Sequence, residues 1–335
     1  MAISVHSHLS VNPIAVIGLS GIFPQAAGVR EFWCNVLAGR DCITDVPETA
    51  WSVSDYYDSD PFAEDKTYCR RGGFLLPSVF DPAEFSIPPK VLDSIGLVQL
   101  LSLNVARDVL RDAGCNGAEW YDPKRTGVVL GACAQNTTAT SLGMRLAVPL
   151  VREVALSCGL SDQDAEEMVR RFKAATPGWT EDSFPGILAN VISGRIANRF
   201  GLGGANYTVD AACASSLAAL RMAVDELVMR RADLMITGGC DTDNSITAFM
   251  CFSKTPALSF SGSVKPFDKS ADGTLIGEGI GMLALKRLAD AERHGDRIYA
   301  VLRGLGSSSD GNTSSIYAPC GEGQLTALRR AYEDA

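Results

Sequence analysis

Ten cysteines and three histidines hold most of the nucleophilic and acid–base scope of these 335 residues, and one cysteine has a setting of its own. The stretch TVDAACASSLAALRMAVDELVMRRADLMITGG, residues 208–239, puts Cys213 where an apolar strand turns into an amphipathic helix. Leu217, Leu220, Val224, Leu227 and Val228 recur at helical spacing, and charges take the opposite face. A sulfur at a helix N-terminus meets the positive end of the helix dipole and unpaired backbone N–H groups. Both favour the thiolate, the nucleophilic form of the side chain. Ala211, Ala212, Ala214, Ser215 and Ser216 leave room for a substrate, and the Cys213 N–H can help hold a developing oxyanion, as at other strand–turn–helix elbows. By residue type alone, a free cysteine is more often a small buried hydrophobe. Cys34, Cys42, Cys69, Cys115, Cys133, Cys158, Cys240, Cys251 and Cys320 lack the elbow context and read as packing residues.

The histidines offer no partner for that sulfur. His6 and His8 lie in a polar leader, where an HxH pair is a tail feature far more often than a metal site. His294 sits in the polar segment ERHGDR and reads as solvated. No CxxC occurs, which removes the usual structural zinc patterns, and we expect no metal.

The elements that must position Cys213 follow from hydrophobic periodicity. Strands are predicted at Ile14–Ile17, Thr126–Gly131, Tyr207–Val209, Leu234–Thr237, Gly281–Leu285 and Ile298–Arg303. Helices are predicted over residues 29–39 (Phe32, Trp33, Val36 and Leu37 on one face), 91–113, 142–174, 187–200 and 215–231. Between Asp45 and Pro89 runs a polar, aromatic, proline-rich excursion, read as a functional or interface loop. Strands alternating with helices of this length predict a mostly parallel α/β sheet. At 46% hydrophobic and 21% charged residues, the chain can bury a sizeable core. Its 30 basic against 39 acidic residues, net −9, argue against nucleic acid or an anionic membrane surface as the main partner. No apolar run reaches a membrane span, and no secretory signal opens the chain, so reduced thiols and a cytoplasmic location are expected.

VDAACASSLAAL resembles the active-site segment of the β-ketoacyl synthases, the condensing enzymes of fatty-acid and polyketide synthases. The resemblance runs in order along the chain, through PIAVIGLSGIFP, EFWCNVLAGRDCITDVP, KTYCRRGGFL, FDPAEFSIPP, VISGRIANRFGLGGANYTVDAAC and VKPFDKSADGTLIGEGIGMLALKRL. Most modular polyketide ketosynthases carry an acidic-Pro-Gln-Gln-Arg stretch where this chain has IPPKVLDSIGLVQLL. That departure, together with MCFSKTPALS at 250–259, resembles the polyunsaturated fatty-acid synthases and the related glycolipid synthases. The chain opens almost directly on the domain, so it looks like the first module of a large multienzyme.

The resemblance implies a thiolase-like layered αβαβα fold and a homodimer. It divides the chain into a leader (1–11), a complete N-terminal half with the nucleophile (12–265) and the truncated start of a C-terminal half (266–335). An incomplete half would leave apolar sheet surface open, so the isolated chain is expected to be poorly stable. The implied reaction has two stages. An acyl chain moves from the phosphopantetheine arm of an acyl carrier protein to Cys213; a malonyl-type extender then loses CO2 and condenses with it. Substrates ride on the carrier, and the domain binds no cofactor of its own. Family enzymes use two histidines and a lysine downstream of the nucleophile, motifs this sequence does not contain after GSSSDG at 306–311.

Phe267, in PFD, is the family-based candidate for the substrate pocket. Met250 and Phe252 either line an acyl pocket or belong to the core. GEGIG (Gly277, Gly279, Gly281) reads as turn or close packing rather than a nucleotide loop. Lys254 reads as a surface charge, and Arg70 and Arg71 either approach a carrier phosphate or sit in surface ion pairs. The alternative function is a non-catalytic scaffold or chain-length partner, and a Cys–His hydrolase is weakened by the lack of a suitable histidine.

Overall fold

Residues 14–17, Ile-Ala-Val-Ile, are buried without a break, the signature of a strand covered on both faces. They open the first strand of a computed structural model that describes residues 9–77, 80–133, 137–312 and 318–335. In chain order the elements are β1 (Ile14–Ile22), α1 (Val29–Leu37), β2 (Thr44–Asp45), α2 (Val53–Tyr56), β3 (Arg71–Gly72), α3 (Leu97–Asp112) and β4 (Thr126–Gly131). There follow α4 (Thr137–Arg145), α5 (Val148–Ser157), α6 (Asp162–Ala174), α7 (Ser183–Ile187), α8 (Asn190–Phe200), β5 (Asn206–Val209), α9 (Ser215–Val228), β6 (Leu234–Asp241) and α10 (Ile246–Lys254). The last are β7 (Gly279–Arg287), α11 (Leu288–His294), β8 (Ala300–Leu302) and α12 (Gly321–Asp334). His6 and His8 lie outside the described residues.

Six strands form one sheet in the order β5-β4-β6-β7-β1-β8. Alternation along each strand divides its side chains between two cores. Ala15, Ile17, Val128, Leu130, Ile236 and Met282 pack under α3 and α8. Ile14, Val16, Val129, Met235 and Leu285, one position out of phase, pack under Ala219, Ala223, Val224 and Leu227 of α9. Period two in the strands thus sorts a continuous apolar run into two opposed layers. A third cluster gathers Trp51, Tyr68 and Phe74 from the polar excursion around Phe249 of α10, so that segment has a core of its own.

One expectation changes. The sheet is mixed: β4 pairs in parallel with β5 and β6, whereas β6/β7, β7/β1 and β1/β8 are antiparallel. The β6–β7 connection does hold a helix, α10, but its Phe249 packs on Trp51, Tyr68 and Phe74 of the excursion instead of on either face of the sheet, so it does not act as the crossover that parallel neighbours require. Residues on both sides of position 265 contribute strands to this one sheet. β7 lies between β6 and β1, and β8 pairs with β1, so residues 266–335 complete the sheet that carries the nucleophile. The described residues therefore make a helix–sheet–helix body of the thiolase-like type, and a second large sheet of the expected αβαβα layering is not among them. On α1 the helix forms as expected; Phe32, Trp33, Val36 and Leu37 are exposed, and Asn35 is the buried residue.

Opposite the carboxyl ends of the parallel strands, Asp233 ties three elements together. Its carboxylate pairs with Arg125 just before β4 and with Arg287 at the end of β7, and Arg287 also donates to the carbonyls of Leu227 (3.0 Å) and Ala232 (2.7 Å). The Arg125 hydrogen bond, aided by Arg287, holds the Asp233 carboxyl down at about 2, below its ordinary 3.8. A depressed carboxyl contributes stability that is complete above its unfolded value and is lost as pH falls towards the folded one. Urea midpoints of wild type and Asp233→Asn should therefore differ most near neutral pH. The gap should narrow from about pH 4 down to about pH 2; a pH-independent gap would refute the linkage.

Candidate active site

The site begins with what the strand ends lack. β4 finishes at Gly131, in register with Val209 of β5 and Gly239 of β6. A Cβ added to Gly131 would collide with the Ser215 carbonyl group, and one on Gly239 would lie 2.9 Å from Ser216 Cβ. With glycine at both positions, the first turn of α9 rests directly on the carboxyl ends of the parallel strands. Crevices at such ends are where open α/β sheets bind ligands.

Between β5 and α9 the chain turns sharply. Ala212 takes the left-handed conformation (φ 50°), uncommon for a residue with a Cβ. Two side chains hold it there. Asp210 Oδ1 accepts the Ala212 N–H at 2.9 Å; Ser215 Oγ accepts the Ala211 N–H at 2.8 Å and donates to the Ala212 carbonyl at 2.6 Å. The next residue, Cys213, is exposed one position before the N-cap of α9. Small neighbours are thus a condition of the turn as well as of access.

Cys213 opens on a cavity of about 760 Å³. Leu217, Leu220 and Phe252 give it apolar walls, and Asp241, Asp243 and Glu278 give it a polar margin. Glu278 is pushed above the usual carboxylate range by burial, although its Oε2 accepts the Leu75 N–H at 2.8 Å. That bond, the Glu278 N–H to the Gly73 carbonyl (2.8 Å) and the Gly73–Gly277 bridge dock the RRGGFL segment onto GEGIG. A Cβ added to Gly277, Gly279 or Gly281 would make only ordinary contacts, at 3.5 Å or more, so the stretch docks through its backbone bonds and not through a need for glycine.

Of the pocket candidates, only Phe252 shares the cavity with Cys213. Met250, half-buried on the same helix, is not among the lining residues, because neighbours two apart on a helix do not share a face. Phe267 is fully exposed with φ 63° and is likewise absent from the lining; the turn after residue 264 swings it out to solvent. Arg71 is engaged with the Gly262 carbonyl (2.6 Å), Asp41 and Asp45, and Arg70 lies over the Tyr57 ring. Lys254 is exposed and donates to the Ala63 carbonyl. His294 stacks on Trp120 beside a separate cavity lined by Lys286. No cluster of three or more His, Cys, Asp or Glu suited to a metal occurs among the described residues. Cys133, read from sequence as a packing residue, does line the cavity. The available signal was its place just past a strand that pairs with the one leading to Cys213.

Residues 11–291 match the family model of the β-ketoacyl synthase N-terminal domain. The chain belongs to that family. It is 45% identical over 322 residues to a polyunsaturated fatty acid synthase polypeptide of Thraustochytrium sp., covering 96% of this chain and 11% of that protein. It is 34% identical over 326 residues to the pikromycin polyketide synthase component PikAII of Streptomyces venezuelae, covering 96% and 8%. Among solved structures, the oxazolomycin ketosynthase domain OzmH KS7 of Streptomyces albus JA3453 superposes with a TM-score of 0.79 at 25% identity. The ketosynthase from module 6 of the Bacillus subtilis bacillaene synthase gives 0.76 at 29%. This chain spans 50% and 48% of those two structures. The ketosynthase relatives are thus parts of large multienzymes, and the likeness extends over nearly all of this chain.

The glycine seat under α9 can be tested. Gly131→Ala should cost about 1–3 kcal/mol in urea unfolding, the usual range for overpacking, and should slow alkylation of Cys213. Gly143→Ala, where an added Cβ meets nothing within 4 Å, should be neutral or stabilising by up to about 1 kcal/mol. Equal effects of the two changes would remove the seat from the account.

Proposed function

We propose that this chain is the nucleophile-bearing part of a β-ketoacyl synthase, in which Cys213 accepts an acyl chain from a carrier-bound thioester. The observation that carries the reading is the exposed Cys213 on a held elbow, above the ends of three parallel strands and open to a partly apolar cavity. The Cys213 thiolate attacks the thioester carbonyl, and the elbow N–H of Cys213 faces the charge that develops on oxygen. Collapse forms the new thioester and releases the pantetheine thiol, which takes up a proton. Leu217, Leu220 and Phe252 shelter the methylenes of the acyl chain. A malonyl-type extender then loses CO2, and its carbanion equivalent attacks the Cys213 thioester to lengthen the chain by two carbons.

The partners that follow from this reading are an acyl carrier protein, the adjacent domains of a multienzyme and a second copy in a homodimer. The phosphopantetheine arm belongs to the carrier, not to this domain. We place the protein in the cytoplasm, where ten reduced thiols persist. The likeness to the Thraustochytrium polyunsaturated fatty acid synthase makes fatty-acid elongation the preferred context. A scaffold-only role gains no support from these relatives, which are synthases and ketosynthase domains.

Acyl-pantetheine or acyl carrier protein thioester, added to the purified chain and followed by peptide mass spectrometry, should leave the acyl group on Cys213. Cys213→Ala should abolish the adduct, and iodoacetamide should modify Cys213 ahead of exposed Cys34 and Cys158. Acyl groups spread over several cysteines, or none on Cys213, would sink the proposal.

A further inference from the structure

A second thiol opens on the nucleophile's cavity. Cys133, exposed like Cys213, lines the same space. β4 and β5 run side by side to Gly131 and Val209, and the Ala132 N–H still reaches the Val209 carbonyl at 3.1 Å. Cys133 is the next residue. On the other strand the chain doubles back through left-handed Ala212, and Ala211 and Cys213 form a bridge. The two thiols therefore stand just past the ends of neighbouring strands and line one cavity. The Cys133 thiol is raised, first by desolvation, then by the charges of Asp210 and Asp241, a hydrogen bond to Asp210, and the nearby Cys213. It is kept protonated beside the sulfur read as the nucleophile. The third cavity sulfur, Cys240, is different: it is buried, donates to the Gly131 carbonyl at 3.6 Å, and is pushed up to about 12.

We propose that Cys133 is a resolving thiol for Cys213, closing a reversible disulfide that stops acyl loading and shields the nucleophile from irreversible oxidation. The proposal rests on Cys213 being the reactive thiol, and the oxidant is a hydroperoxide. The Cys213 thiolate attacks one peroxide oxygen; the O–O bond breaks, Cys213 becomes a sulfenic acid, and the departing hydroxide takes up the proton that the thiol had lost and leaves as water. Cys133 sulfur then attacks Cys213 sulfur. The S–S bond forms as the S–O bond breaks, and the Cys133 proton departs with the hydroxyl as a second water. Two thiols lose two electrons, and one hydrogen peroxide is reduced to two waters.

The purified chain, treated with hydrogen peroxide, alkylated and digested, should yield a Cys133–Cys213 linked peptide, and dithiothreitol should restore iodoacetamide labelling of Cys213. In Cys133→Ser, Cys213 should pass to sulfinic acid, and the fraction recovered by dithiothreitol should fall at least about tenfold. The linked peptide in wild type is read without any variant, so a misfolded Cys133→Ser protein does not spoil the test. Linkage of Cys213 to another cysteine, or equal sulfinic acid in both proteins, overturns the proposal. Fast labelling of Cys213 in the reduced wild type with no linked peptide overturns the resolving role alone. Slow labelling and no linked peptide overturn the acyl-acceptor reading as well.

Discussion

The contact between the first turn of α9 and the side-chain-free ends of β4 and β6 sets the geometry of everything around Cys213. Backbone packs on backbone there, so helix and sheet approach more closely than any larger residue would allow. That approach leaves the chain between Val209 and Ser215 too little space for a relaxed connection. The left-handed Ala212, with its bonds to Asp210 and Ser215, is the result. Strain of this kind persists only where the surroundings hold it, and here it brings a sulfur to the surface beside a cavity.

The sheet beneath is held from both ends. On the cavity side, GEGIG and RRGGFL meet through Gly73, Gly277 and Glu278, so the polar excursion becomes part of the site's frame. On the far side, Asp233 draws together the start of β4, the end of β7 and the end of α9 through two arginines. β7 spans these ends at the centre of the sheet, between β6 and β1, so the segment after residue 265 is structurally inseparable from the nucleophile's own strands.

Three sulfurs around one cavity have three environments. Cys240 faces inward from β6, where burial makes a thiolate too costly. Cys133 opens on the cavity near Asp210 and Asp241, and desolvation first, then those charges, keep its proton on. Cys213 stands exposed on the elbow, one residue before the N-cap of α9. Residue type is the same in all three; the division of labour comes from position.

Much of this was legible in the residues themselves. Alternating and helical periods located β1, β4, β5, β6, α3, α8 and α9, because burial on a defined face demands them, and the elbow around Cys213 was visible as a strand, a small-residue turn and a helix in succession. Periodicity is a local property, though, and reports neither direction nor neighbour. The antiparallel placement of β7 and the pairing of β8 with β1 depend on contacts between distant segments. So does the exposure of the apolar face of α1. The same limit explains the pocket residues: Phe252 faces the cavity while Met250 and Phe267 do not, since a side chain's direction is decided by the packing and turns around it. It also explains Cys133, an ordinary cysteine along the chain that parallel pairing of β4 with β5 carries to the side of the nucleophile. The sequence by itself determined the main elements and singled out Cys213 as the candidate nucleophile, through local pattern; only the tertiary structure decided which groups share its cavity, because that is a matter of strand neighbours and close backbone approach.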